Sequence, residues 1–148
     1  MILFVDDEIY GLDNDVDNLT RAGFEVKIAA TVDEAMAFLE DRRGDVEGII
    51  CDIMMPHGAV FTGADTREGL RTGVKLFEWV RARWPETPFV VFTNILRDKA
   101  LWERFRREPK CIYVEKKDAV GHDFVNRVAE VIPLKKRASD DDRVDNGD

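Results

Sequence analysis

Ile2-Leu3-Phe4-Val5-Asp6-Asp7 sets four consecutive apolar residues against two carboxylates, and Gly48-Ile49-Ile50-Cys51-Asp52 repeats the arrangement further along the chain. Unbroken apolar runs of this length fit strands buried on both faces, as in a parallel sheet covered by helices. Both runs then deliver their acidic residues to the carboxyl-terminal edge of the sheet, where open α/β folds place their chemistry. Two further runs extend the pattern: residues 88–92 lead into Thr93, and residues 111–114 lead into Glu115 and Lys116. One edge therefore gathers three carboxylates, a hydroxyl and an ammonium.

The intervening segments carry helical spacing. Ile9, Leu12, Val16 and Leu19 share one face of a first helix, with Glu8 at its negatively favoured start and Gly23 placed to end it. Residues 24–28 then alternate as a short strand. Thr31 followed by Glu34 is a capping-box pattern, and Ala35, Phe38 and Leu39 supply the buried stripe of the helix it opens. A helix over 70–84 presents Leu70, Val74, Phe77 and Val80 and stops at Pro85. Residues 97–107 form a strongly charged helix anchored by Leu101, Phe105 and Trp102, and residues 119–132 form a last one with Val120, Phe124, Val128 and Ile132 in register. Five alternating β and α units predict a three-layer α/β/α sandwich around a parallel sheet.

Two segments break this rhythm. Residues 57–68 make a glycine-containing connection far longer than the usual βα loop of about 2 to 6 residues, and it lies beside the carboxylate edge. It is a lid, a partner-binding surface or a tolerated insertion. Residues 133–148 are polar, rich in Asp and without a packing stripe, so the expected folded domain is 1–132 followed by a disordered tail.

With 148 residues and 45% hydrophobic content the chain can bury the core of a single domain. A net charge of -8 argues against a direct nucleic-acid surface. Cys51 and Cys111 both fall in apolar strands, where a free thiol behaves as a small hydrophobe and no disulfide framework is implied. No apolar run reaches the length of a membrane span, and the opening apolar residues are interrupted by Asp6-Asp7-Glu8, so neither membrane insertion nor a signal peptide is expected. The expected location is the cytoplasm.

Three converging carboxylates raise one another's proton affinity and need a cation to stay ionised together. A hard divalent ion with oxygen ligands answers that need, and Mg²⁺ suits a site with few protein ligands. Thr93 and Lys116 add donors for the oxygens of a phosphoryl group, so carboxylate, metal, hydroxyl and ammonium together fit phosphoryl transfer. His57 and His122 are isolated loop histidines outside any transition-metal set.

In this ordered set (Asp6 and Asp7; Asp52 with Met54 and Pro56 after it; Thr93; Tyr113 three residues before Lys116) the chain resembles the receiver domain of two-component response regulators, the CheY-like superfamily, over residues 1–132. The resemblance implies a flavodoxin-like doubly wound fold with strand order 2-1-3-4-5. It implies that Asp52 accepts a phosphoryl group from a histidine kinase, a histidine phosphotransfer protein or a small phosphodonor. Asp7, Asp52 and the backbone carbonyl of Met54 would coordinate Mg²⁺, with Asp6 acting through a metal-bound water. Thr93 and Lys116 would hold the phosphoryl oxygens, and Thr93 and Tyr113 would form a switch that alters the face of helix four, strand five and helix five for a downstream protein. A monomer or transient homodimer is implied, without turnover of a substrate.

Departures from the family pattern mark this chain. Lys117 stands where proline is usual, which leaves the geometry of the Lys116–Lys117 bond open. Asn94 and Met54 flank the acceptor as candidate modulators of acyl-phosphate hydrolysis. Two competing readings remain: a phosphorylation-independent adaptor on the same fold, and an aspartyl-nucleophile phosphatase. The latter needs an Asp-x-Asp arrangement that Asp6-Asp7-Glu8 does not offer.

Overall fold

A computed structural model describes residues 1–63, 71–94 and 98–134. Strands β1 (Ile2–Val5), β2 (Val26–Ala29), β3 (Gly48–Cys51), β4 (Phe89–Thr93) and β5 (Cys111–Glu115) form one parallel sheet in the order β2-β1-β3-β4-β5. Every residue of β1, β3 and β4 is buried, as their unbroken apolar runs require. Helices α1 (Asp13–Arg21), α2 (Val32–Arg42), α3 (Thr72–Arg83), α4 (Lys99–Arg107) and α5 (His122–Ala129) complete the alternation.

The strand period of two divides the apolar residues between two cores. Leu3, Val5, Ile49, Cys51, Phe89, Val91, Cys111 and Tyr113 face α2, α3 and α4, where Phe77 meets Phe89 and Phe105 edge-on. Ile2, Phe4, Ile50, Val90, Phe92 and Val114 face α1 and α5, where Phe92 stacks on Phe124 at 4.5 Å. Cys51 and Cys111 are free, buried thiols, with burial pushing the pKa of Cys111 up to about 12.

Helix ends show where local signals held and where tertiary structure displaced them. Gly23, at φ 105, closes α1 in a Schellman arrangement: its N–H donates to Thr20 and that of Phe24 to Leu19. Thr31 caps α2 by accepting from Glu34 N–H at 3.1 Å, while the Glu34 carboxylate reaches Ala30 N–H, one residue before the position a capping box uses.

The first helix starts at Asp13 rather than near Glu8, because Ile9–Gly11 forms a separate 3-10 turn; Ile9 belongs to that turn. The last helix starts at His122, after a 3-10 turn at Lys116–Asp118 and Gly121 at φ 54, so Val120 is 71% exposed and is no core residue. Ile132, just past that helix, is fully buried against Gly48, where an added Cβ would lie 2.5 Å from its side chain. The expected contributions of Leu70 and Arg97, loop residues 64–68 and the tail 135–148 lie outside the described residues.

Candidate functional site

β1 and β3 are adjacent and in register, pairing Val5 with Cys51, so the next residues of each strand meet at the same edge. Asp52 N–H donates to the Val5 carbonyl at 3.0 Å, and Asp6 N–H to the Ala29 carbonyl at 3.1 Å, which extends the ladder into the site. Ligand oxygens of Asp6, Asp7 and Asp52 lie within 4.8 Å of one another. Asp6 and Asp52 are buried, whereas Asp7 opens to solvent.

Lys116, the first residue after β5, crosses to this cluster. Its Nζ donates to Asp6 Oδ2 at 2.7 Å and Asp52 Oδ2 at 3.1 Å, and it lies 5.6 Å from the centroid of the Phe92 ring. Burial disfavours its charge, yet the two carboxylates outweigh that effect and hold its pKa above the ordinary lysine value. Lys117 instead points outward and pairs with Glu115 at 3.3 Å. The Lys116–Lys117 bond is trans, as are all peptide bonds among the described residues.

The other half of each carboxylate is held by backbone. Asp6 Oδ1 accepts from Glu8 N–H at 2.9 Å, which gives Glu8 a place through its amide rather than its side chain. Asp52 Oδ1 accepts from Ile53 N–H at 2.7 Å and Met54 N–H at 3.3 Å, leaving Oδ2 turned toward Lys116. Partial burial first, then repulsion from Asp6 and Asp52, keeps the Asp7 carboxyl above its usual range. One ammonium faces three carboxylates, and every donor is a hard oxygen, so the set fits a hard divalent cation.

Thr93 ends β4 fully buried, and Asn94 beside it is exposed in a 350 Å³ cleft shared with Glu8, Asp15 and Lys116. Met54 exposes its side chain, whereas Met55 is buried. Tyr113 is buried in β5 with its ring stacked at 6.3 Å on Phe105, and burial raises its pKa to about 12. His57 sits on the loop surface with a ring nitrogen 2.5 Å from the Gly58 carbonyl, exposed His122 opens α5, and neither is a member of the carboxylate cluster.

Several supporting residues carry no local sequence signal. Gly73 packs so closely on the strand end that a Cβ there would lie 2.1 Å from the Asp52 carbonyl oxygen. The Asp33 carboxylate on α2 accepts from Ala59 N–H at 2.8 Å and Val60 N–H at 3.2 Å, docking the first part of the long loop. Gly58, at φ 67, makes room for that contact. Arg71 pairs with Asp98, whose other oxygen caps α4 at Leu101 N–H. These partners are distant in sequence, so only the folded chain brings them together.

Comparison with solved structures places this edge in a known architecture. A response regulator receiver domain protein from Clostridium thermocellum superposes with a TM-score of 0.70 at 21% identity, over 88% of this chain and 92% of that one. This chain has the receiver fold. A CheY-like receiver domain protein from Methanospirillum hungatei JF-1 gives 0.67 at 23% identity, over 99% and 97% of the two chains. The receiver domain of NtrX from Brucella abortus gives 0.69 at 21% identity, over 91% and 100%. No protein-family model and no curated protein matches the chain. In the receiver fold the strand order is the observed one, and the acidic cluster occupies its carboxyl-terminal edge. No helix among the described residues is long and apolar enough to cross a membrane.

Proposed function

We propose that the protein is a phosphorylation-dependent signalling switch in which Asp52 is the phosphoacceptor. The observation that carries this reading is the shared ammonium: Lys116 bridges Asp6 Oδ2 and Asp52 Oδ2 at the edge of a receiver fold. A lysine serving only as a structural counter-ion has no need of a cluster in which negative charge remains in excess.

In this reading Asp7, Asp52 and the Met54 carbonyl hold Mg²⁺, with Asp6 contributing through water. The ion, when bound, neutralises charge on the phosphoryl oxygens. A carboxylate oxygen of Asp52 attacks phosphorus while the bond from phosphorus to the donor's imidazole nitrogen breaks. The new bond is an acyl phosphate, and the departing imidazole keeps the electron pair. Lys116 transfers its hydrogen bonding from Asp52 to a phosphoryl oxygen, and the Thr93 hydroxyl donates to another.

The phosphodonor is a histidine kinase or histidine phosphotransfer protein, and small acyl phosphates substitute for it. The product is a changed surface rather than a released substrate, so slow self-hydrolysis is the only turnover. Thr93 moving toward the phosphoryl group biases Tyr113, which lines a 390 Å³ cleft with Trp102 and Arg127. A downstream protein reads that face. Asn94 and Met54, both exposed, modulate water access to the acyl phosphate.

The test is intact mass after incubation with Mg²⁺ and acetyl phosphate. The protein gains one hydroxylamine-labile phosphoryl group, and Asp52→Asn gains none. Equal labelling of the two proteins, or none in either, contradicts the proposal.

A further inference from the structure

The segment that leaves β3 is pinned on both sides of a single carbonyl. The Ile53 carbonyl accepts from Gly73 N–H at 2.9 Å, and Met54 N–H donates to Asp52 Oδ1 at 3.3 Å, which fixes the peptide unit before Met54. Beyond it, the Met55 carbonyl accepts from the Thr72 hydroxyl at 2.5 Å, a contact spanning 17 residues of sequence. The Met54 carbonyl lies between these two anchored peptide units. Its own side chain is 42% exposed and does little to orient it, whereas Ile53 and Met55 on either side are buried.

Thr72 is fully buried at the first position of α3, and the missing Cβ of the next residue, Gly73, lets that helix approach the strand end. Among the described residues of the long connection before α3 no helix or strand holds residues 53–55, and Thr72 supplies an anchor from its far end. A hydroxyl on a helix start is rigidly placed, and a hydrogen bond fixing a backbone ligand reduces the ordering that ion binding must impose.

We propose that Thr72 is a positioning residue for divalent-cation binding: by holding the Met55 carbonyl it aims the neighbouring Met54 carbonyl at the carboxylate cluster. This inference rests on the reading of Asp6, Asp7, Asp52 and Met54 as the Mg²⁺ site.

The experiment is a Mg²⁺ titration of ¹⁵N-labelled, unphosphorylated protein, following the amides of residues 6–7 and 52–55. Thr72→Val keeps the volume and removes the donor, Thr72→Ser keeps the donor, and Val80→Ala on the same helix is a control for general loosening. Thr72→Val should bind Mg²⁺ about tenfold more weakly, the lower end of what loss of a ligand-orienting hydrogen bond costs. Thr72→Ser should restore most of the affinity, and Val80→Ala should match the unmodified protein. Unchanged affinity in Thr72→Val, equal weakening in Val80→Ala, or no recovery in Thr72→Ser overturns the role of Thr72 while leaving the metal site intact. An unmodified protein whose amides do not respond to Mg²⁺ overturns the metal reading and the role of Thr72 together.

Discussion

The two ends of the sheet use charge in opposite ways. At the amino-terminal end, Arg81 donates to the carbonyls of Thr87, Pro109 and Lys110, and Arg43 donates to the Val46 carbonyl and the Thr87 hydroxyl. Burial lowers the pKa of both guanidinium groups, but they remain charged and spend their donors closing the backbone where strands begin. At the carboxyl-terminal end, Asp6, Asp7 and Asp52 face one ammonium and leave negative charge uncompensated. The first arrangement sets its charge against carbonyl and hydroxyl oxygens of the chain itself and serves stability. The second leaves a set of hard carboxylate oxygens that could hold a divalent cation.

The sharpest way to break this contrast is Lys116→Met. It leaves Asp6 and Asp52 without their cation and should cost about 3 kcal/mol of stability in metal-free protein at neutral pH, with added Mg²⁺ returning part of it. Because the folded pKa of Lys116 is raised, its contribution is complete below the ordinary lysine value and is lost as pH rises through the folded value. Urea unfolding across alkaline pH should therefore show the gap between the two proteins closing; a constant gap would place the effect in packing on Phe92 instead.

At the other end, Arg81→Ala uncaps three carbonyls and should cost about 2 kcal/mol. Its Mg²⁺ affinity should equal that of the unmodified protein, and a shared loss of affinity would merge the two ends into one cooperative unit.

The smallest effect sharpens the comparison from the acidic side. The raised pKa of Asp7 means that the folded protein holds its proton more tightly than the unfolded chain does. Stability then falls as pH rises from the unfolded value through the folded one, and the full cost is present above it. Asp7→Asn removes that cost. Metal-free protein should gain about 0.5 kcal/mol at neutral pH, a small figure because solvent screens this residue. The gain should vanish below the unfolded carboxyl pKa, and Mg²⁺ should stabilise the variant less than the unmodified protein.

Much of the acidic end was legible in the sequence because each buried strand runs directly into a chemical residue: Val5 into Asp6, Cys51 into Asp52, Phe92 into Thr93. Strand burial and strand parallelism fix where such residues emerge, so spacing along the chain translates into position. The choice between Lys116 and Lys117 also followed the strand, since only the residue immediately after β5 turns inward.

What was not legible depends on contacts across the fold. Gly73 and Thr72 lie beyond a long connection, and nothing local ties them to Ile53 or Met55. Asp33 reads as an ordinary helix-start acid until the loop docks on it. The late starts of α1 and α5 follow from 3-10 turns at the site edge, and just before the first of them the Glu8 N–H is committed to Asp6.

The proposed phosphoryl transfer ends on one carboxylate, and the most direct measurement locates it chemically. Protein treated with Mg²⁺ and acetyl phosphate is reduced with borohydride, which converts an aspartyl phosphate to homoserine, and the digest is sequenced by mass spectrometry. The prediction is homoserine at residue 52 and Mg²⁺-dependent formation of it. Homoserine at position 6, 7 or elsewhere, or none in protein shown to bind Mg²⁺, would contradict it.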